Sequence, residues 1–146
     1  MKKYTRKNNK PSSPIIYKQI INCYMDMLNT VKLYHWKTTS YSTHKATDQL
    51  YSDLNSKIDE FVEVMLGKPE LKKARNYILN IDLIKLKKYN TNNDFKKEVE
   101  YYKNFLIGLS QKKEFTRDNK NADLLAIRDE ILALFNQFLY LLTLEN

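Results

Sequence analysis

Residues 34–67 read YHWKTTSYSTHKATDQLYSDLNSKIDEFVEVMLG. Within them Ala46, Leu50, Leu54, Ile58, Phe61, Val62 and Met65 recur at steps of three and four, the period of one helix face. The pattern predicts a helix over His44–Leu66, with Thr43 as its N-cap and Gly67 as its terminator, and Pro69 just beyond. Upstream, Ile16, Ile20, Tyr24, Met27, Val31 and Tyr34 form a stripe of the same kind, predicting a helix from Ile15 to about Thr38. Ser12 or Ser13 with Pro14 marks its entry. The polar link between the two helices is short, so they should lie antiparallel.

Downstream the same reasoning continues. Leu71, Ala74, Ile78, Leu79 and Ile81 predict a short helix, and Leu83, Ile84 and Leu86 either extend it or form another turn. Asn90–Asn93 reads as a loop, with Asn93 or Asp94 capping the next helix. Val99, Tyr102, Phe105, Leu106 and Leu109 predict a third long helix over about Phe95–Lys112. The adjacent pair Tyr101-Tyr102 must point to opposite faces of it, leaving one ring partly exposed or at a contact. Glu114–Lys120 is polar. The fourth, Asp123–Leu144, is capped near Asn121 and apolar over much of its circumference, which suits the centre of a bundle or a subunit interface. Only two glycines and three prolines interrupt 146 residues, and that scarcity of breakers favours long helices. The expected class is all-α: four long helices with a short extra helix between the second and third, in one domain. Residues 1–14 read as a flexible basic tail and 15–146 as the helical bundle.

The formal net charge is +8. Lysines outnumber arginines 21 to 4, a skew that fits an AT-rich genome and weakens the overall basicity as a pointer to nucleic acid. The clustering is more informative. Lys2, Lys3, Arg6, Lys7 and Lys10 crowd the first ten residues, and no acid precedes Asp26. Such a tail could neutralise DNA phosphates in a salt-dependent way, or it could simply solubilise the chain. The single cysteine, Cys23, excludes an internal disulfide and a cysteine-rich zinc site, and reads as a small buried hydrophobe. It fits an intracellular, reducing compartment. No apolar run is long enough to span a membrane. No apolar segment follows the basic start, so it is not a secretory signal.

The chain holds only two histidines, His35 and His44. His44 precedes Asp48 by four residues, Asp59 by fifteen and Glu63 by nineteen. Imidazole and carboxylate together suit iron, zinc or manganese. Fifteen residues span roughly 22 Å of helix, so His44 and Asp59 cannot reach one ion within one helix. Antiparallel packing also puts His35 near His44 and far from Glu63. Two arrangements stay open on spacing alone. The residues are solvated or capping groups, or the second helix packs on its own copy about a two-fold axis, bringing the histidine end of one chain to the acidic end of the next.

This stretch resembles the first two helices of Dps-type mini-ferritins, the DNA-binding proteins from starved cells. That family carries a His-Trp pair, a histidine, an aspartate four on, and an Asp-x-x-x-Glu pair before a glycine. His35-Trp36, His44, Asp48, Asp59, Glu63 and Gly67 match in order, and the last five match in spacing. The resemblance implies a ferritin-like four-helix bundle and an iron site at a dimer two-fold. His35, His44, Asp59 and Glu63 would be ligands, Asp48 a further ligand or orienting group, and Trp36 a neighbour. It implies oxidation of Fe(II) and mineral storage in a hollow shell; the sequence leaves open whether twelve subunits close or a dimer suffices, whether the tail binds DNA, and whether the chain belongs to a nucleoid or a virus particle. The nine-residue interval from His35 to His44 is shorter than the family's usual gap. The chain lacks the Glu-x-x-His pairs of larger ferritins, so an intra-bundle di-iron centre is not expected. The alternatives are a DNA-condensing protein without redox chemistry and a scaffold that keeps the fold without the metal.

Overall fold

The computed structural model describes residues 14–82, 89–116 and 119–144. Among them all regular structure is helical, and there is no strand. The order is α1 (Ile15–Lys37), α2 (Tyr41–Leu66), a 3-10 segment (Pro69–Ala74), α3 (Arg75–Leu79), α4 (Asn92–Gly108), a second 3-10 segment (Leu109–Gln111), α5 (Lys113–Thr116) and α6 (Ala122–Leu142). The four long helices contact one another in a ring: α1 lies on α2, α2 on α6, α6 on α4, and α4 on α1. No helix of the described residues is long and apolar enough to cross a membrane. Pro14 aside, the expected tail with Lys2, Lys3, Arg6, Lys7 and Lys10 lies outside the described residues, as do the expected Ser12/Ser13 entry and Leu83, Ile84 and Leu86.

The inner faces follow the apolar stripes. Leu50, Leu54, Ile58, Phe61 and Met65 of α2 are buried, and so are Leu124, Ile127, Ile131, Phe135 and Phe138 of α6. Each such side chain contributes about 1.5–3 kcal/mol by leaving water. Cys23 is buried as expected. Phe95 sits where three helices meet. It stacks on Tyr34 of α1 with ring centroids 4.2 Å apart and meets Phe138 of α6 edge-on at 5.7 Å. Arg128 is buried on α6 and donates to the Leu106 carbonyl (2.6 Å) and the Ser110 hydroxyl (2.7 Å). It thereby ties α6 to the end of α4, where backbone carbonyls lack helical partners.

Several boundaries differ from the sequence reading: α4 ends at Gly108 and not Lys112, α6 runs Ala122–Leu142 and not Asp123–Leu144, and three further differences have a visible cause. α2 starts at Tyr41, because Ser40 is the cap and its hydroxyl accepts from the Thr43 N–H. Thr43, expected as the cap, is instead buried in the first turn. α4 begins at Asn92, capped by Thr91 accepting from the Asp94 N–H at 3.1 Å, rather than by Asn93 or Asp94. Both corrections share a cause: a hydroxyl cap upstream satisfies the orphan donors first. The third concerns the polar stretch from Glu114. It contains α5, whose Phe115 is buried 6.3 Å from the Tyr17 ring. One apolar residue among charges carries no periodicity, so its role was invisible in sequence.

The entry to α6 is held by charge. Lys68 Nζ lies 2.9 Å from Asp123 Oδ1, and Asp123 also accepts from the Leu124 N–H. Burial pushes the Asp123 carboxyl up, but the Lys68 bond and the Leu124 N–H outweigh it and hold it below its ordinary value. A carboxyl depressed in the folded state stabilises above its unfolded pKa, and that stability is lost as pH falls through the folded value. Denaturant melts at a series of acid pH values should therefore show a shallower acid limb in Lys68→Ala than in the parent chain. Equal slopes would mean that the pair contributes nothing.

Candidate metal site

The link between α1 and α2 is three residues, Thr38–Ser40. It turns the chain back so tightly that the last turn of α1 and the second turn of α2 share a corner. His35 and His44 stack there, with ring centroids 3.9 Å apart and planes 18° from parallel. Each ring bonds to the other residue's backbone. His35 Nδ1 donates to the His44 carbonyl oxygen at 2.9 Å, and His44 Nδ1 donates to the His35 carbonyl oxygen at 2.9 Å. A carbonyl can only accept, so both protons are assigned to Nδ1. In this tautomer each ring presents an unprotonated Nε2, the form that a metal ligand needs. Thr47 adds to this frame. Its hydroxyl is held by the Thr43 carbonyl (2.8 Å) and lies 3.1 Å from His35 Nδ1.

The frame is braced from α4. Asn92 accepts from the Tyr34 hydroxyl and donates to Thr43 Oγ1 at 3.4 Å. His35 is buried, His44 half-buried and Asp48 exposed. Asp48 Oδ1 lies 3.9 Å from His35 Nε2, close enough for the two acceptors to share a cation. The structure thus brings His35, His44 and Asp48 to one corner. The backbone supports of these rings and the part played by Thr47 were not found from sequence. The brevity of the link was the only signal.

Asp59 and Glu63 stand elsewhere. They are exposed, one turn apart, toward the far end of α2, roughly 16 Å along the helix from Asp48 to Asp59. Among the described residues, no three His, Cys, Asp or Glu side chains of one chain are grouped to hold a metal ion. The outer stripe of α2 nevertheless has an ordered composition. His44, Asp48, Ser52, Asn55, Asp59 and Glu63 follow one another at steps of four, four, three, four and four. All but the half-buried His44 are exposed. The spacing reads the same in both directions. The midpoint of His44 and Glu63 is also that of Asp48 and Asp59, and of the small pair Ser52 and Asn55.

Aromatic side chains flank the corner on the outside. Trp36 is 66% exposed and Tyr41 74%. Lys32 Nζ lies 5.4 Å from the Trp36 ring centroid and 4.7 Å from that of Tyr51, which holds the indole in place on the surface.

A family model described as a family of unknown function, DUF5856, matches residues 35–142. The chain belongs to DUF5856. The matched part of this DUF5856 chain takes in His35, His44, Asp48, Asp59 and Glu63. No curated protein and no solved structure matches it.

Proposed function

We propose that this DUF5856 chain acts as a Dps-type mini-ferritin. In this reading its helices form a ferritin-like four-helix bundle, and Fe(II) is bound and oxidised at a site shared by two copies. The observation that carries the reading is the outer stripe of α2. If two copies of α2 cross antiparallel about the shared midpoint, His44 of one faces Glu63 of the other, and Asp48 faces Asp59. Ser52 meets Asn55 at the crossing, and their small side chains let the helices approach closely.

Each pair of copies then carries two equivalent sites. One copy would supply His35, His44 and Asp48, a bound ion drawing these side chains together out of the stacked arrangement they hold in the single chain, and the other would supply Asp59 and Glu63. This mixed nitrogen and oxygen set fits divalent iron and would also accept zinc or manganese. Fe(II) is the substrate here. The histidines hold it through nitrogen lone pairs. The carboxylates balance its charge and favour the more highly charged ferric product. Two ferrous ions give one electron each to a peroxide, which takes up two protons and leaves as two waters; oxygen would take four electrons and four protons to the same product. Trp36 and Tyr41 are exposed in one chain, at the same α1–α2 corner as His44, and would add aromatic area to such a contact. Iron storage, and protection of DNA from peroxide, follow from this chemistry in an assembly that closes into a shell.

The test is anaerobic titration of Fe(II) into the purified chain, followed by peroxide, with the assembly state measured by light scattering. Saturable binding at one site per chain in an assembled form, then fast oxidation, is the expected result. A monomer that leaves iron oxidation at the buffer rate would remove the reading.

A further inference from the structure

Tyr102 is buried far from any role in the proposed iron site. Its ring is fully covered, with the Phe135 ring centroid 5.9 Å away. Its hydroxyl donates to an Asp26 carboxylate oxygen at 2.7 Å and lies 2.9 Å from the Thr30 hydroxyl, itself buried. Asp26 and Thr30 belong to α1, so the contact bridges α1 and α4. Burial pushes the Tyr102 phenol above its ordinary value, so it does not ionise by losing its proton to water.

That environment matters for electron loss. A phenol stripped of one electron becomes a strong acid and sheds its proton at once. A buried phenol can do so only where a base is already hydrogen-bonded to it. Asp26 stands at that position. The next residue completes the arrangement. Tyr101 is 56% exposed, and its ring centroid is 6.0 Å from that of Tyr102. Rings this close exchange an electron readily.

We propose that Tyr102 and Asp26 form a proton-coupled one-electron donor that intercepts oxidising equivalents within the helix packing, with Tyr101 as its outlet to the surface. The oxidant is a one-electron species of the hydroxyl-radical class, derived from peroxide. It gains one electron and becomes hydroxide. Tyr102 loses that electron, its O–H bond breaks, and an O–H bond forms on Asp26, leaving a neutral phenoxyl beside a carboxylic acid. In the second step Tyr101 gives an electron to Tyr102 and its own proton to water. Tyr102 recovers the proton from Asp26, which becomes a carboxylate again. The radical now sits at the surface, where a soluble thiol can reduce it. None of these steps depends on where Fe(II) binds.

The experiment uses the full chain and a photogenerated ruthenium(III) tris-bipyridine oxidant, with freeze-quenched electron paramagnetic resonance as the readout. Beside the signal of the exposed tyrosines, the parent chain should give a phenoxyl component from a buried ring that Tyr102→Phe loses. Asp26→Asn is the discriminating variant, because its amide oxygen still accepts the hydrogen bond but takes no proton. Its Tyr102 signal should fall by about ten-fold or more, since a positioned base typically contributes at least that to proton transfer. Tyr101→Phe should lengthen the lifetime of the Tyr102 radical. Should Tyr102→Phe fold poorly, 3-fluorotyrosine placed at position 102 changes the hyperfine pattern only when the spin resides there. A signal unchanged by substitution at 102, or equal in Asp26→Asn and the parent, overturns the proposal.

Discussion

Replacing His44, Asp59 and Glu63 together by alanine should abolish saturable Fe(II) binding and return oxidation to the rate in buffer. The effect is large because each site would lose three donors, one from one copy and two from the other. Loss of a group that merely orients a ligand already costs about 10–100-fold in affinity or activity, and loss of the donors themselves exceeds that. The fold should survive. Asp59 and Glu63 are exposed, and exposed substitutions usually stay within about 0.5 kcal/mol. His44→Ala removes one ring of the stack and one bond to the His35 carbonyl, a cost of about 1 kcal/mol. Circular dichroism should therefore show a helical chain with an almost unchanged melt. Asp53→Ala is the matched control. Asp53 lies off the stripe and accepts from Gln49 Nε2 at 3.0 Å, so iron oxidation should be retained. Loss of activity in the control as well would attribute the effect to general acidity of α2 and not to the paired site.

Phe95→Ala should be the most destabilising single substitution of an ordinary core residue. The side chain has no exposure, and it opens α4 at the point where α1 and α6 converge. Its removal would take away the stack on Tyr34 and the edge contacts to Phe138 and Tyr89, leaving a cavity between three elements. Phenylalanine to alanine in such a place costs about 3–5 kcal/mol. For a chain of this size that corresponds to a fall in Tm of roughly 10–20 °C, measurable in a thermal melt. A fall of only a few degrees would show that the helices collapse into the space. Tyr34 also donates to Asn92, which reaches Thr43, so this cluster braces the histidine corner as well.

The all-helical class was legible because α1, α2, α4 and α6 are amphipathic over several turns, and the residues counted on their inner faces are mostly those buried. The corner was legible in outline: a short link between antiparallel helices required His35 to meet His44. Its chemistry was not, because backbone carbonyls do the orienting and no residue type encodes them. Helix starts were misplaced for a related reason. Ser40 and Thr91 compete with equally plausible caps a few residues on, and tertiary packing of Thr43 and Asn92 decides between them. Tyr102 and Asp26 are 76 residues apart, and only the approach of α1 to α4 reveals their hydrogen bond.

The symmetric spacing along α2 has a genetic corollary. Under the proposed pairing a copy without its histidines and a copy without Asp59 and Glu63 carry complementary defects. In a mixed pair of the two, one site lacks every substituted donor and the other is whole. Two alleles that are each inactive alone would therefore rescue one another when expressed together: half the sites of every mixed pair are whole, which under random pairing is about a quarter of the parental number.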